Sequence, residues 1–371
     1  MNDGDSQFET LMRQAIDLAE KGRGHVEPNP LVGCLIIKDN EIIGQGYHEK
    51  FGGPHAEVNA LNHCSESPEG AIAIVTLEPC CHYGKTPPCV DALIDAKIQK
   101  VIIGLKDPNP QVDGGGIAKL AEAGIKVSSG LLSEAVATQN AAFIKSIKTG
   151  MPWVIAKYAM TLDGKIATQT GDSKWISNDA CRQQVHLQRS RIDAIVVGSE
   201  TVKQDDPALT ARPAERESAG PRNPLRVILD SKASLSATSQ VVVTARETPT
   251  LVVVDTNLSD PSKLNELKQA GVEILSTDEG YVNRINRLLL ELGSRKMQNV
   301  VVEGGGGVHG EFLQADQVDE INLYLAPRLI GSGRQPFRFP ELEKVADGRS
   351  LEFVEIRELG GNLFIRALLK K

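Results

Sequence analysis

Four residues carry the most legible chemistry: His55 and Glu57 in GPHAE (53–57), and Cys80 and Cys89 in EPCCHYGKTPPC (78–89). One imidazole and two thiolates form the donor set of a zinc site whose fourth position stays open for water. The metal lowers the pKa of that water toward neutrality. A carboxylate beside the metal, not bound to it, then carries the proton from water to a ring nitrogen and on to departing ammonia. His55, Cys80 and Cys89 are therefore the expected ligands of one zinc ion per chain, and Glu57 the expected catalytic proton carrier. The H-x-E spacing lets the imidazole reach the metal while the carboxylate faces the substrate.

The thiol spacing separates two ligands from their neighbours. Base deaminases use P-C-x-x-C, whereas Pro79-Cys80 is followed by eight residues before Cys89. Cys81 adjoins Cys80, and adjacent residues do not both reach one tetrahedral ion easily. Cys89 follows Pro87-Pro88 and opens the apolar-periodic run VDALIDAKI. That puts it at a helix N-terminus, where free amides and the dipole favour a thiolate. Cys34 and Cys64 lie in or near apolar elements and read as buried thiols. No other feature asks for His82 as a ligand, and His63 falls at the end of its helix, on the surface.

The elements that must hold these residues alternate. Phe8, Leu11, Met12, Ala15, Ile16 and Ala19 follow helical spacing. LVGCLIIKDNEIIGQGYH reads as a hairpin turning at Asp39-Asn40. A helix is expected after Pro54, a buried strand in AIAIVTLEP, a helix from Cys89, and a strand in KVIIGLKDPNP ended by Pro108 and Pro110. GGGIAKLAEAGIKVSSG adds a helix, a stop at Gly124 and a short strand, and LLSEAVATQNAAFIKSIKTG a single helix ending at Gly150. This alternation predicts an α/β three-layer domain over residues 1–148.

A fresh α/β series fills 149–371. WVIAKYAM, IDAIVVGS, LRVILDS, VVVTA, TLVVVD, NVVVEG and EINLYLAP read as strands, with helices in NDACRQQVHLQRSR and GYVNRINRLLLELG. ARPAERESAGPRNP reads as an exposed loop. The run VVVEGGGGVHGEFL (300–313) lacks G-x-G-x-x-G after a first strand, which speaks against a Rossmann domain. An apolar strand entering four glycines and then a helix is nonetheless a phosphate cradle. In TVKQDDPALTAR (201–212), Asp205 is a candidate cofactor or substrate contact and Arg212 a phosphate holder, with Arg189 a second cation.

Composition sets limits. The 371 residues exceed what one core supports, so two domains are expected. A net charge of −7 argues against a nucleic-acid or anionic-membrane binder. The acidic N-terminus has no signal-peptide pattern, no apolar run is long enough to span a membrane, and six cysteines make no disulfide scaffold. A cytoplasmic chain with reduced thiols is the expectation.

PNPLVG (28–33), GPHAEVNAL (53–61) and EPCCHYGKTPPC (78–89) together resemble the deaminase half of the bifunctional riboflavin-biosynthesis deaminase–reductases. KYAMTLDGKIAT (157–168), SKWIS (173–177), TVKQDDPALTAR and VEGGGGVHGEF resemble the reductase half, in the family's order. The resemblance implies a cytidine-deaminase-like N-terminal domain and a dihydrofolate-reductase-like C-terminal domain. It implies zinc-dependent deamination of a diaminopyrimidinone bearing a ribosylamino 5′-phosphate, then NADPH-dependent reduction of the ribosyl group to ribityl.

It also implies roles. NADPH would lie against Ala159, Trp175, Thr201, Asp205, Ser231 and the run Gly305, Gly306, Gly307, Val308, His309, Gly310 and Glu311. The phosphosugar would lie against Ser173, Arg189, Leu209, Arg212 and Glu303, with Lys157 beside the reacting sugar and Asn29 in the base pocket of the first half. A homo-oligomer, dimer or larger, is implied as well. Two other readings remain: a tRNA or free-base deaminase with an unrelated C-terminal binding domain, and a structural-zinc protein with a binding module.

Overall fold

The computed structural model describes residues 3–84, 87–109, 112, 114–213, 222–278 and 280–370. The centre of the expected exposed loop after Ala211, residues 214–221, lies outside them, as do Lys85, Thr86 and Pro110. The chain forms two compact units, Met1–Gly150 and Met151–Lys371.

In the first unit the strands are β1 (Gly33–Lys38), β2 (Glu41–Tyr47), β3 (Ile72–Leu77), β4 (Lys100–Leu105) and β5 (Lys126–Ser129), in the spatial order β2-β1-β3-β4-β5. Asp39 and Asn40 both take positive φ, the backbone a two-residue hairpin turn needs to match strand twist. The sheet is apolar on both faces, so both are covered. Cys34 and Ile36 of β1 pack with Ala56, Ala60, Val90 and Leu93 on one side. Leu35 and Ile37 pack with Met12, Ala15 and Leu18 of the helix Asp3–Glu20 on the other. That helix lies so close that a Cβ on Gly33 would strike the Ala15 backbone carbonyl.

The expected single helix over 131–150 is two, Ser133–Gln139 and Ala141–Thr149. Asn140 breaks it by spending its buried amide on Leu31: Oδ1 accepts from Leu31 N at 2.8 Å and Nδ2 donates to Leu31 O at 3.1 Å. This fixes the segment that carries Asn29.

The second unit holds β6 (Trp153–Thr161), β7 (Ala167–Thr168), β8 (Ala194–Gly198), β9 (Leu225–Leu229), β10 (Thr250–Asp255), β11 (Glu273–Thr277), β12 (Asn299–Val302), β13 (Glu320–Ala326), β14 (Gly333–Arg334), β15 (Leu351–Leu359) and β16 (Asn362–Leu369). Nine of these form one mixed sheet, β11-β10-β9-β8-β12-β6-β13-β16-β15, parallel from β11 to β13 and antiparallel beyond. Ile285, Leu288, Leu289, Leu292 and Phe312 cover one face. Val241, Val242 and Leu267 are among those covering the other.

VVVTA, read from its valines as a strand, is instead the short helix Gln240–Val243. Its carbonyls are claimed from outside: Val241 O accepts from Arg226 Nη2 at 3.1 Å and from Thr250 Oγ1 at 3.0 Å. The final hairpin, β15 and β16, lies outside the strands read from the sequence, although Gly360-Gly361, both at positive φ, marks its two-residue turn.

Gly33→Ala should lower the stability of the first unit by about 1–3 kcal/mol, because the carbonyl its Cβ meets is helix backbone. Thermal and urea unfolding would read this as a lower midpoint, and an unchanged midpoint would contradict the packing argument.

Candidate active sites

In the first unit the sequence-derived metal residues come together. The candidate ligand atoms of His55, Cys80 and Cys89 all lie within 4.8 Å of one another. His55 Nδ1 is 3.5 Å from Cys80 Sγ and 3.3 Å from Cys89 Sγ. Tetrahedral ligands at Zn–N and Zn–S bond lengths stand about 3.4–3.8 Å apart, so an S₂N donor set of this size fits a zinc ion with one position open. His55 precedes the helix Ala56–Asn62, Cys80 follows β3, and Cys89 opens the helix Cys89–Asp95. The Cys89 amide donates to Cys80 Sγ at 3.3 Å. The Cys89 thiol, then His55 and this amide, hold the Cys80 thiol well below its ordinary pKa, while Cys89 is raised in turn.

Glu57 is buried at the same pocket, 3% exposed. Burial first, then the Cys80 charge, pushes its carboxyl up to about 7. That suits a group that must both take and give a proton near neutrality. The pocket is ≈ 260 Å³ and also includes Asn29, His48, Asp107 and Asn109. Cys81 packs half-buried against the core and Cys34 is buried; all six cysteines are free.

Two residues here escaped the sequence reading. His48 is buried, and its Nδ1 lies 3.0 Å from Pro54 O while its Nε2 lies 3.0 Å from Asn29 Nδ2. A carbonyl only accepts, so Nδ1 carries the proton and Nε2 accepts from the Asn29 amide. The second is Glu78, whose buried carboxylate accepts from the backbone N–H groups of Asp107 (3.2 Å), Gly114 (3.1 Å), Gly116 (3.0 Å) and Ile117 (3.1 Å). Glu78 thus ties the segment before Cys80 to the loop that carries Asp107 and Asn109. Its only sequence signal was a carboxylate directly before Pro79-Cys80.

In the second unit a cleft of ≈ 1560 Å³ opens along the C-terminal ends of the parallel strands. It exceeds the range of about 300–1,000 Å³ for one drug-sized ligand and so has room for a dinucleotide and a second molecule. Ala159, Trp175, Thr201, Asp205, Ser231, Gly305, Gly306, Gly307, Val308 and Glu311 all line it, as do Lys157, Ser173, Arg189, Leu209, Arg212 and Glu303. His309 and Gly310 do not. His309 is 1% exposed, with its ring nitrogens 3.0 Å from the Pro336 and Val302 carbonyls, and a Cβ on Gly310 would strike the Arg338 backbone. These two hold the glycine run in place from beneath. Trp175 is 61% exposed, which removes a core role, and the Arg182 guanidinium lies 4.6 Å from its ring centroid.

At the centre of the cleft Glu303 meets two cations. Arg189 donates to it twice, from Nε at 2.9 Å and Nη2 at 2.8 Å, and Lys157 Nζ lies 3.4 Å from Oε2. Burial alone would raise the Glu303 carboxyl, but the Arg189 and Lys157 charges overcome it and hold the pKa far below the ordinary range. Beside this cluster, Leu209 takes a positive φ in a loop pinned by Arg226. Arg226 is fully buried and donates to the carbonyls of Ala208 (3.2 Å), Val241 (3.1 Å) and Thr248 (2.6 Å). Arg338, also missed from sequence, lines the cleft with its guanidinium against Gly307.

Residues 152–365 match the model of the RibD C-terminal domain, and residues 5–105 that of the cytidine and deoxycytidylate deaminase zinc-binding region. The chain belongs to the RibD family. The riboflavin biosynthesis protein RibD of Escherichia coli (strain K12) is 39% identical over 363 residues, 95% of this chain and 97% of that protein. A solved Acinetobacter baumannii RibD is similar with a TM-score of 0.86 and 36% identity, covering 99% of this chain and 100% of that one. A Thermotoga maritima structure, described as a diaminohydroxyphosphoribosylaminopyrimidine deaminase/5-amino-6-(5-phosphoribosylamino)uracil reductase, gives a TM-score of 0.84 at 37% identity, covering 99% and 100%.

As a RibD protein, the chain is a bifunctional deaminase and reductase of riboflavin biosynthesis, with a cytidine-deaminase-like first domain and a RibD-type reductase domain. The reading as a tRNA or free-base deaminase has no support, because the half it leaves unrelated is the half that matches the RibD C-terminal domain.

The depressed Glu303 pKa adds stability that is full above its unfolded value and is lost as pH falls through the folded one. Arg189→Met should cost about 3–5 kcal/mol at neutral pH by leaving a buried carboxylate short of charge. It should also flatten the loss of stability on acidification. Urea unfolding of the second unit at pH 7 and below the ordinary carboxylate range measures both.

Proposed function

We propose that the chain deaminates 2,5-diamino-6-(5-phosphoribosylamino)pyrimidin-4(3H)-one to 5-amino-6-(5-phosphoribosylamino)uracil and then reduces the ribosyl group to ribityl with NADPH. The observation that carries this is one chain holding an S₂N cluster beside a buried carboxylate and, in its other unit, a dinucleotide-sized cleft with a glycine run. The Thermotoga maritima relative's described activities support the same substrates.

In the first step His55, Cys80 and Cys89 would hold one zinc ion, which would supply an acidified water molecule. Glu57 would move a proton from water to the ring nitrogen and then to the amino group, which leaves as ammonia. Asn29, its amide fixed by His48, contacts the pyrimidinone. In the second step NADPH, when bound, supplies a hydride. The ribosylamine opens to an imine whose carbon accepts the hydride and whose nitrogen accepts a proton.

Of the two groups nearest that proton, Glu303 has its carboxyl pKa held low by Arg189 and Lys157, so Lys157 carries the proton and Glu303 keeps its ammonium in place, 3.4 Å away. Arg189 already spends Nε and Nη2 on Glu303 and directs Nη1 at Thr210 O, 3.4 Å away, which favours Arg212 and Ser173 for the sugar phosphate. Ala159, Trp175, Thr201, Asp205, Ser231 and the 305–308 run with Glu311 receive the cofactor. The partners are small molecules, with no nucleic acid, and the compartment is the cytoplasm, in keeping with six free cysteines.

Ammonia release from the diaminopyrimidinone substrate without NADPH, followed by loss of NADPH absorbance once it is added, is the expected result. Neither signal in a folded, zinc-replete sample would overturn the proposal. Glu57→Gln should retain zinc and fold while deamination falls about 10²–10⁴-fold. Loss of zinc in that variant would instead make Glu57 a ligand.

We also propose a homo-oligomer. The edge strand β15 leaves Leu351, Phe353, Val354 and Ile356 exposed, the last three at 66%, 40% and 57%. A long apolar edge of this kind aggregates unless it is covered. Light scattering should give a mass above one chain, and Phe353→Lys with Ile356→Lys should lower it. A monomeric wild type would contradict this.

A further inference from the structure

The wall of the cleft next to Lys157 holds a tyrosine that none of the preceding roles uses. Tyr324 sits on β13, which runs parallel to β6 with Asn322 beside Lys157 and Tyr324 beside Ala159. Side chains two apart on a strand share a face, so Lys157, Ala159 and Tyr324 lie on the same side of the sheet. The helix Asp179–Ser190 covers that side, with Cys181 and Val185 packed in the Tyr324 cluster. Phe364 meets the Tyr324 ring at a centroid separation of 5.2 Å, and Lys157 Nζ lies 5.8 Å from the same centroid.

The ring is packed, but its hydroxyl is not paired. Tyr324 is 1% exposed and lines the cleft. Its hydroxyl makes no hydrogen bond among the described residues. An unpaired hydroxyl at such depth is costly, and a phenylalanine would fill the space without that cost. Burial first, then the Glu303 charge, raises its pKa, so it remains an O–H donor at neutral pH. The charged groups nearby are already engaged, since Glu303 holds both Arg189 and Lys157. Tyr158, the other tyrosine of the cleft, packs its ring 5.8 Å from His309 and 5.3 Å from Phe337.

The reaction has a step that needs a neutral donor here. Opening the ribosylamine breaks the bond between the anomeric carbon and the ring oxygen while the amine lone pair forms the C=N bond. Negative charge gathers on the ring oxygen until the proton given up by the amine reaches it. The hydride then enters at the anomeric carbon, and Lys157 supplies the proton for the nitrogen. Nitrogen and ring oxygen are bonded to the same carbon, so two neighbouring donors, Lys157 and Tyr324, can serve one each.

Resting on the reading of this cleft as the ribosylamine site, we propose that the Tyr324 hydroxyl donates a hydrogen bond to the sugar ring oxygen and stabilises the charge that gathers there as the ring opens. The hydroxyl keeps its own proton throughout. A donor aimed at developing charge acts more strongly on the transition state than on the bound substrate, so it raises kcat more than it lowers KM.

Tyr324→Phe tests this, because it keeps the ring and removes only the oxygen. With 5-amino-6-(5-phosphoribosylamino)uracil and NADPH, followed by absorbance, the full-length variant should lose about 10²-fold in kcat with KM little changed. Calorimetry should give wild type and variant the same affinity for NADP⁺. The melting temperature should be unchanged or higher, because no protein group loses a partner.

An unchanged kcat would overturn the inference. So would a weakened NADP⁺ affinity, which would put the hydroxyl on the cofactor, or a lowered melting temperature, which would make it structural. A wild type that turns over normally beside an unaffected variant sinks the inference alone. A wild type that fails to oxidise NADPH with this substrate would sink the substrate reading with it.

Discussion

A charge taken out of water must be met by partners or it unfolds what surrounds it. Three buried charges in this chain decide where the functional loops lie. Glu78 gathers four backbone amides between Asp107 and Ile117, Arg226 gathers the carbonyls of Ala208, Val241 and Thr248, and Glu303 gathers Arg189 and Lys157. The strands supply rigid, apolar floors, but the loops above them have little apolar surface of their own. Their positions follow from whichever charge they must satisfy.

The two sites use this differently. In the deaminase unit the charge serves geometry at one remove: Glu78 lies outside the His55, Cys80 and Cys89 cluster, yet it joins the segment leading to Cys80 to the loop bearing Asp107 and Asn109. In the reductase unit the charge lies at the centre of the cleft, where the proposed reduction would take place. Glu303 fixes the two cations closest to the expected sugar, so the same interaction holds the fold and arranges the chemistry.

The sequence was legible where residue type and spacing are both constrained. His55, Cys80 and Cys89 were readable because few donor sets suit zinc, and the structure brings their ligand atoms within 4.8 Å of one another, with Glu57 in the same pocket. The hairpin at Asp39-Asn40 was readable because its turn needs positive φ twice. What failed was set by distant partners. Asn140 breaks a helix because of Leu31, and VVVTA coils into a helix whose Val241 carbonyl serves Arg226 and Thr250. His48, Glu78 and Arg338 have no local pattern at all, since each acquires its place only when remote segments meet. His309 shows the converse: a residue inside the glycine run turns away from the cleft and supports it from beneath.

The Glu78 clamp carries a thermodynamic consequence. Its carboxylate lies between the segment leading to Cys80 and the loop bearing Asp107 and Asn109, so ordering either side lowers the entropy left to lose on the other. A metal held by Cys80 and a base held beside Asp107 would therefore be linked, each felt by the other as a change in affinity. A substitution in the 107–117 loop selected for altered base recognition would shift the zinc affinity with it. While Glu78 joins the two segments, tuning one property would move the other.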